Sequence, residues 1–323
     1  MTDNRKKPLV ILTGPTAVGK TELSVRLAKR INGEIISADS MQVYRRMDIG
    51  TAKITPDEMN GVTHHLIDIL EPQEDFNVYL FKELAQKALN EIYSRGRVPI
   101  IAGGTGFYIQ SVLYDIDFTE TDTDEEYRMK LSETAKEKGA EFLHAMLREI
   151  DPESADAIHP NNIKRVVRAI EYHRQTGGKM SEHNTEQGSK ESPYNFVYFV
   201  LNDDRAAIYD RIDRRVDAMI EKGLLDEVKS LLAEGCGRSL TSMKGLGYKE
   251  IIDYYNGETT LEEAVRILKR DTRHFAKRQL TWFRRERDVT FVNLNEFDGI
   301  SRESVQDAAL EYMVGILHNK NIM

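Results

Sequence analysis

Leu9-Val10-Ile11-Leu12-Thr13-Gly14-Pro15-Thr16-Ala17-Val18-Gly19-Lys20-Thr21 is the stretch that decides the fold. Leu9 to Leu12 read as a buried strand, Gly14 to Thr21 match G-x-x-x-x-G-K-[ST] in full, and Leu23, Leu27 and Ile31 then recur at helical spacing. In a strand, glycine turn and helix of this kind, backbone N–H groups wrap phosphate oxygens at the positive end of the helix dipole. Lys20 adds a mobile charge, and the Thr21 hydroxyl is placed to ligate Mg²⁺ carried by the same phosphates. A phosphate-binding cradle for a di- or triphosphate is therefore expected at Gly14, Pro15, Thr16, Ala17, Val18, Gly19, Lys20 and Thr21, with Thr21 as the metal ligand. The motif calls for a di- or triphosphate, ATP among them, without choosing one.

Outward from that loop, Asn32-Gly33 breaks the helix, and Glu34 to Ala38 read as a second strand ending at Asp39. A helix carrying Leu80, Leu84, Ala88 and Ile92 precedes a third strand, Val98 to Ala102, closed by Gly103-Gly104-Thr105-Gly106. Strands alternating with amphipathic helices build a parallel sheet covered on both faces. From about Ile116 to Pro193 the strand signal gives way to helical patterns at Glu125 to Lys138, Ala140 to Ile150 and Asn162 to Arg174. Gly177 to Ser192 reads as a mobile polar loop. Asn195 to Leu201 restores a strand, and the remainder is mainly helical apart from a strand near Thr290 to Leu294. The expected fold class is α/β: a P-loop NTPase-like core, with a parallel sheet flanked by helices, from residues 1–115 and 194–323, and an all-helical insertion domain at 116–193. No repeat of fixed period is visible.

Composition narrows the partners. In 323 residues, 45 Lys and Arg against 53 Asp and Glu leave a formal charge of −8, so a polyanion must meet a local basic patch rather than a global field. With 40% hydrophobic and 30% charged residues the chain reads as an ordinary folded globular protein. Leu9 to Leu12 is too short for a signal peptide, and no apolar run approaches a membrane span, so a cytoplasmic protein with no membrane partner is expected. The lone Cys236 makes neither an intrachain disulfide nor a cysteine-rich zinc site, and reads as a small residue between two glycines. If His64 and His65 lie on a strand they point to opposite faces, which favours packing or hydrogen bonding over chelation.

In a doubly wound sheet, ligands sit beyond the carboxyl ends of the strands, so the phosphate loop, Asp39 and Thr105 should share one cleft. An acid there could accept a proton, and a hydroxyl in a glycine loop could touch a leaving phosphate. From spacing alone Asp39 serves equally as a cap, and Thr105 alone reads more readily as a hydroxyl bonded to its own backbone.

A basic segment stands apart. From Arg266 to Arg287 nine cations face two acids, Asp271 and Glu286, a local charge of +7. On a helical wheel Arg266, Arg270, Arg273, Lys277 and Arg284 fall on one side, and Leu261, Ala264, Leu268, Phe275 and Trp282 on the other. Such segregation favours a phosphate backbone as partner. Lys164, Arg165 and Arg168 form a smaller cluster, and Lys244, Tyr248 and Lys249 add cations and an aromatic beside flexible glycines, which suits a bent single-stranded loop.

These residues together resemble the bacterial tRNA dimethylallyltransferases, almost end to end. The resemblance is carried by Gly14 to Thr21, Ala-Asp-Ser-Met-Gln-Val-Tyr at 38–44, Asp-Ile-Gly-Thr-Ala-Lys at 48–53 and Gly-Gly-Thr-Gly-Phe-Tyr at 103–108. It continues through Ile-His-Pro-Asn-Asn at 158–162, Gly-Tyr-Lys-Glu at 247–250 and Thr-Arg-His-Phe-Ala-Lys-Arg-Gln-Leu-Thr-Trp at 272–282. The phosphate loop is shared with many unrelated enzymes, whereas its combination with Asp-Ser-x-Gln and Ala-Lys-Arg-Gln is specific. The resemblance implies transfer of a dimethylallyl group from dimethylallyl diphosphate to N6 of the adenosine immediately 3′ of the anticodon, in tRNAs reading codons that begin with U. It implies Asp39, Thr105 and Arg215 as catalytic residues, Arg215 also reaching the diphosphate, and Mg²⁺ as cofactor. Ser40, Met41 and Gln42 beside the base, with Asp39, Thr105, Tyr127, Arg128, Lys164, Arg165, Arg168, Lys244, Tyr248, Lys249, Arg273, Lys277, Arg278 and Gln279, are the expected tRNA contacts, on a monomer. Eukaryotic relatives carry a C-terminal zinc finger, which a single cysteine does not support. Two other readings share the core. A P-loop kinase explains residues 1–115 but not the basic helix, and an isopentenyltransferase acting on free adenine nucleotides has little use for it; a GTPase would need an Asn-Lys-x-Asp signature that does not follow.

Overall fold

The computed structural model of the chain describes residues 6–118, 124–297 and 301–323. β1 (Lys7–Thr13) runs through the middle of the sheet, and Leu9 to Thr13 are buried on both faces, as a central parallel strand requires. With it pair β2 (Gly33–Ala38), β3 (His64–His65), β4 (Val98–Gly103), β5 (Tyr194–Asn202) and β6 (Val289–Asn293), all parallel, in the order β3-β2-β4-β1-β5-β6. Val10 lies opposite Ile100 on one side and Val197 on the other. The chain leaves β1 for β2, returns to β4 beside β1, and later continues on β1's far side with β5. The carboxyl end of β1 therefore lies where the order reverses, the place where open α/β sheets hold ligands.

Helices α1 (Lys20–Arg30), α2 (Pro56–Met59), α3 (Val78–Ser94) and α4 (Gly106–Leu113) separate the first strands. α1 buries Leu23 and Leu27 against Val10, Leu12, Ile35, Ile100 and Phe199, one alternating face of the sheet. Past the 114–192 segment, helices follow again, and the last of them returns Met313 and Leu317 to that same core. α3 packs on β2 and β4 and buries Phe81, Ala85 and Ile92. A P-loop-type α/β fold results, with helices on a six-stranded parallel sheet.

The chain divides into two compact units, residues 1–113 with 193–323, and residues 114–192. The second contains, among its described residues, only helices: α5 (Glu125–Lys138), α6 (Ala140–Ile150), α7 (Pro152–Ala157), α8 (Ile163–Thr176) and α9 (Met180–Ser189). Its core is Leu131, Leu143, Leu147, Val166 and Ile170. α9 corrects the mobile loop expected at 177–192. Ser181 donates from its hydroxyl and its N–H to the Asp151 carboxylate at 2.6 and 3.0 Å, and the buried Gln187 accepts the Asp117 N–H at 2.9 Å. Polar tertiary bonds thus order a segment whose composition carries no apolar period. The first unit is completed by α10 (Arg205–Glu221), α11 (Leu224–Ala233), α12 (Tyr248–Tyr255), α13 (Leu261–Phe283) and α14 (Arg302–Asn319). His64 and His65 do form a strand, and their rings diverge: His64 Nδ1 bonds Val62 O and His65 Nε2 bonds the buried Glu34. No helix among the described residues is long and apolar enough to cross a membrane.

Candidate active site

The phosphate loop runs from β1 into α1. Gly19, the N-cap, has φ +110° and contributes no side chain, so the first-turn N–H groups of α1 carry no side-chain cap and point to an open anion site. A Cβ at Gly19 would meet the Arg302 guanidinium at 2.7 Å, which also donates to Val18 O at 3.5 Å. Lys20 folds back, its ammonium donating to Gly14 O at 2.9 Å and Pro15 O at 2.8 Å. Arg211 donates to Ala17 O at 2.9 Å and is neutralised by Asp203 at 2.7 Å. Arg215 reaches the Thr16 hydroxyl at 3.4 Å. Burial, then the Arg215 charge, pushes the Lys20 ammonium down to about 7, with Asp39 opposing that shift. Burial and the Arg302 charge likewise lower Arg215. Lys20, Arg215 and Arg302 thus gather positive charge around one glycine loop, only partly offset by Asp39 and Asp203, an environment that favours an anion.

A narrow cleft of about 60 Å³ joins this cradle to the strand ends, lined among others by Lys20, Thr21, Ser37, Asp39, Gln42, His64 and Gly103. Asp39 follows the last residue of β2, where the cap reading and a place in the cleft are compatible. Its Oδ1 accepts the N–H groups of Met41 at 2.8 Å and Gln42 at 3.3 Å, capping the turn, while its carboxylate lines the cleft beside Lys20. Thr105 precedes α4, its N–H donating to Ala38 O at 3.2 Å and its carbonyl accepting from Tyr108 at 3.0 Å. Its hydroxyl makes no bond to its own backbone, contrary to the reading that spacing alone favours. Gln42 donates to Thr51 O and Ala52 O at 3.3 and 3.2 Å, tying the 48–53 motif to the cleft. That motif is held from below by Glu227, which accepts the N–H groups of Asp48, Ile49 and Gly50 at 2.9, 2.7 and 3.0 Å. Among the described residues no cluster of three or more His, Cys, Asp or Glu could cage a metal. The hydroxyl of the exposed Thr21, which lines the cleft, suits a hard cation held mainly by phosphate and water.

Several expected nucleic-acid contacts already have partners within the protein, and two of them, Tyr248 and Gln279, are buried. Tyr248 is fully buried, its hydroxyl donating to Glu227 Oε1 at 2.7 Å, so it has no face to offer a base. Arg128 forks onto Glu171 with two bonds of 2.8 Å and Arg168 joins the same buried carboxylate at 3.1 Å. Lys249 bridges Glu250 and Asp271, and Arg273 pairs with Asp213. Gln279 is 6% exposed and turns inward. The basic stripe is accordingly less charged than its sequence: Arg266 pairs with Glu263, Lys269 with Asp217 and Arg270 with Asp271. The buried line of α13 runs through Ala264, Leu268, Ala276, Gln279 and Phe283, not through Phe275 and Trp282, and Arg284 is the residue that caps it. What remains open is its C-terminal half. His274, Lys277, Arg278, Thr281, Trp282 and Arg285 line a hollow of about 420 Å³, a cationic surface with an indole in it. Lys244 is exposed on the first unit; on the second, Lys164 and Arg165 are exposed, and Tyr127 stacks under the Arg174 guanidinium at 3.9 Å.

Sequence reasoning missed Arg211, Arg302 and Glu227 altogether. Arg302 bonds a carbonyl 284 positions away, and nothing local announces it. The inward turn of Gln279 was legible: with Ala276 and Phe283 it keeps three- and four-residue spacing on one helical face.

The IPP transferase family model matches residues 42–286. The chain is 61% identical over 318 residues, 98% of its length and 99% of the relative's, to a tRNA dimethylallyltransferase of Lachnoclostridium phytofermentans. It is 53% identical over 290 residues, 90% of the chain and 93% of the relative, to one of Acetivibrio thermocellus. Among solved structures it is similar to the full-length tRNA isopentenylpyrophosphate transferase of Bacillus halodurans, with 47% identity, 98% of each chain covered and a TM-score of 0.72. A eukaryotic dimethylallyltransferase acting on tRNA matches with 29% identity over 98% of this chain and 79% of that one, at a TM-score of 0.81. Matched over most of its length by the family and by relatives more than half identical, the chain belongs to the IPP transferase family.

Proposed function

We propose that this enzyme is a tRNA dimethylallyltransferase: it moves the dimethylallyl group from dimethylallyl diphosphate to N6 of the adenosine immediately 3′ of the anticodon, in tRNAs reading codons that begin with U, and releases diphosphate. The observation that carries this reading is the meeting, in one cleft, of a cationic phosphate cradle with a carboxylate at the end of the next strand.

The chemistry follows from those two parts. The exocyclic amine of adenine is a weak nucleophile because its lone pair is delocalised, so it must lose a proton as the N6–C1 bond forms. Asp39, anchored through Oδ1 to two backbone N–H groups, orients the amine and takes that proton. As the C1–O bond to diphosphate breaks, allylic resonance carries the positive charge on C1. The electron pair leaves with the diphosphate, whose charge is met by Lys20, Arg215, Arg302 and the N–H groups of the loop. Thr21 would hold a Mg²⁺ that adds further positive charge against the leaving group. We assign Thr105, two residues past the β4 residue Gly103 that lines the cleft, to the reacting region. The base must leave its stack to enter the cleft. We assign Ser40, Met41 and Gln42 to the region around it, and Lys277, Arg278, Arg285, Lys244, Lys164 and Arg165 to the anticodon stem-loop. We assign the enzyme to the cytoplasm, where tRNA is met.

The test offers labelled dimethylallyl diphosphate and, separately, γ-labelled ATP to the enzyme, with unmodified tRNA or AMP as acceptor. Label passing from the prenyl donor into tRNA, with Mg²⁺ and without ATP, is the expected result. Transfer of γ-phosphate supports a kinase instead, and prenylation of AMP a free-nucleotide enzyme.

A further inference from the structure

The side chain of Gln279 bridges two loops that belong to different halves of the reaction. Its Oε1 accepts the N–H of Thr16, inside the phosphate loop, at 2.8 Å, and its Nε2 donates to the carbonyl of Gly104 at 3.0 Å, beside Thr105. The two bonds fix the carboxamide's orientation, because a flipped amide would face N–H to N–H and oxygen to oxygen. Space is as specific as polarity here. A Cβ at Gly104 would collide with the Gln279 carboxamide, and one at Gly106 with the Trp282 indole, so α13 lies directly on the 103–106 loop. That loop is in turn stitched to its neighbours, Thr13 donating to Gly103 O at 2.7 Å and Thr105 N–H to Ala38 O at 3.2 Å. Thr16 is gripped from its other side by Arg215. Of these ties, the Gln279 bridge alone joins the 14–19 loop to the 103–106 loop through one side chain rooted on a third element.

We infer that Gln279 is a positioning residue for transfer: its carboxamide sets the spacing between the loop that holds the donor diphosphate and the loop that faces the acceptor, from the helix whose outer face carries Lys277 and Arg278. The inference rests on the transferase reading of the cleft and deepens it. A transfer between two bound substrates depends steeply on their separation, so releasing this bridge should cost rate more than affinity. It also gives Gln279 a role other than contact with RNA, although it lies in the middle of the basic segment.

The decisive variant is Gln279→Met, which keeps length and volume and removes both bonds. Single-turnover transfer to an anticodon stem-loop from saturating dimethylallyl diphosphate should fall roughly 10- to 100-fold, the scale on which misplacement is felt. Affinity for the stem-loop should stay within about twofold, as expected of a group that does not touch the RNA. Gly104→Ala attacks the bridge from the opposite loop, its methyl group displacing the Gln279 carboxamide, and the two changes together should lose little more than either alone, since both break the same bridge. If Gln279→Met does not fold by its thermal transition, Gly104→Ala by itself carries the test. A single-turnover rate within twofold of the parent in a folded variant overturns the inference, as does a loss that follows stem-loop affinity, which would make Gln279 an RNA contact. The parent enzyme run alongside separates this from the wider reading: no transfer by the parent sinks the transferase assignment, whereas transfer by parent and variant alike sinks only the role of Gln279.

Discussion

The Tyr248 hydroxyl donates to Glu227 Oε1 at 2.7 Å, and the same carboxylate accepts three consecutive backbone N–H groups, from Asp48 to Gly50. Two segments that read in sequence as separate motifs, 48–53 and 247–250, are one structure. Gly50 is part of it, since a Cβ there would stand 2.6 Å from the Tyr248 ring. Tyr248→Phe should therefore cost about 1.5 to 3 kcal/mol in urea unfolding, the value of a hydrogen bond to a charged group, with tRNA affinity unchanged. Glu227→Ala should cost more, because it strands three donors and a phenol. Equal costs for the two would show that water satisfies the backbone groups, and a Tyr248→Phe defect confined to tRNA binding would restore it as an RNA contact.

Asp39 caps its turn through Oδ1, so the proposed proton transfer would fall to Oδ2 and the two roles can be separated. Asp39→Asn keeps an oxygen for the Met41 and Gln42 N–H groups, so unfolding should shift little while turnover drops by roughly 10² to 10⁴, the range of a positioned base. Diphosphate affinity should hold within a few-fold. Turnover like the parent's would remove Asp39 from the mechanism.

Lys20, lowered to about 7 in the free enzyme, should regain its proton when diphosphate arrives. Below pH 7 it is charged in both states, so its contribution to affinity is complete there. Above pH 7 binding must take up a proton, and affinity should fall by up to tenfold per pH unit until the raised bound-state value is reached. Calorimetry of diphosphate binding between pH 6.5 and 9, in two buffers of different ionisation enthalpy, reads the uptake directly. Lys20→Met should abolish this component of the slope; an unchanged slope would assign the proton elsewhere. The same shift bears on folding. The unfolded chain binds the extra proton between about 7 and 10.5, so this group adds stability as pH rises through that window.

The C-terminal half of α13 should be where salt-sensitive tRNA binding concentrates. Lys277, Arg278 and Arg285 line its open hollow, whereas Arg273 is paired with Asp213. Replacing the three together with Ala should weaken stem-loop binding and reduce the log–log salt slope by about 0.7 to 0.9 per lost phosphate contact. Arg273→Ala should change the slope by less than one such step. If Arg273→Ala flattens the slope as much as the triple change, its pairing with Asp213 opens on binding and the stripe acts as a whole.

Arg302 should matter to the donor although it lies far from every motif in the sequence. Arg302→Ala should weaken diphosphate binding without altering tRNA affinity, measured by displacement of a labelled diphosphate. An unaffected Kd would reduce Arg302 to a strut under Gly19.

Sequence alone was enough for whatever is set by neighbours along the chain. The period of Leu23, Leu27 and Ile31, the run from Leu9 to Leu12 and the spacing of Gly14, Gly19 and Lys20 are local quantities. They led directly to the strand, the helix and the phosphate cradle between them, and the match of Asp39 and Thr105 to strand ends followed from parallel topology. Only tertiary structure decided which charges are spent inside the protein. Arg128 and Arg168 face Glu171, Arg273 faces Asp213, and Lys249 faces Asp271, so residues that read as a surface for RNA are partly internal ties. The same holds for Gln279 on Thr16 and Arg302 on Val18, contacts that span 263 and 284 positions. A charge or an amide has the same letter whether it meets water, a carboxylate or a loop, and its partner is chosen by how distant helices pack on the sheet. That packing depends on the summed burial of many side chains, not on any local period, and it left the cationic loop at the end of β1 open to an anion.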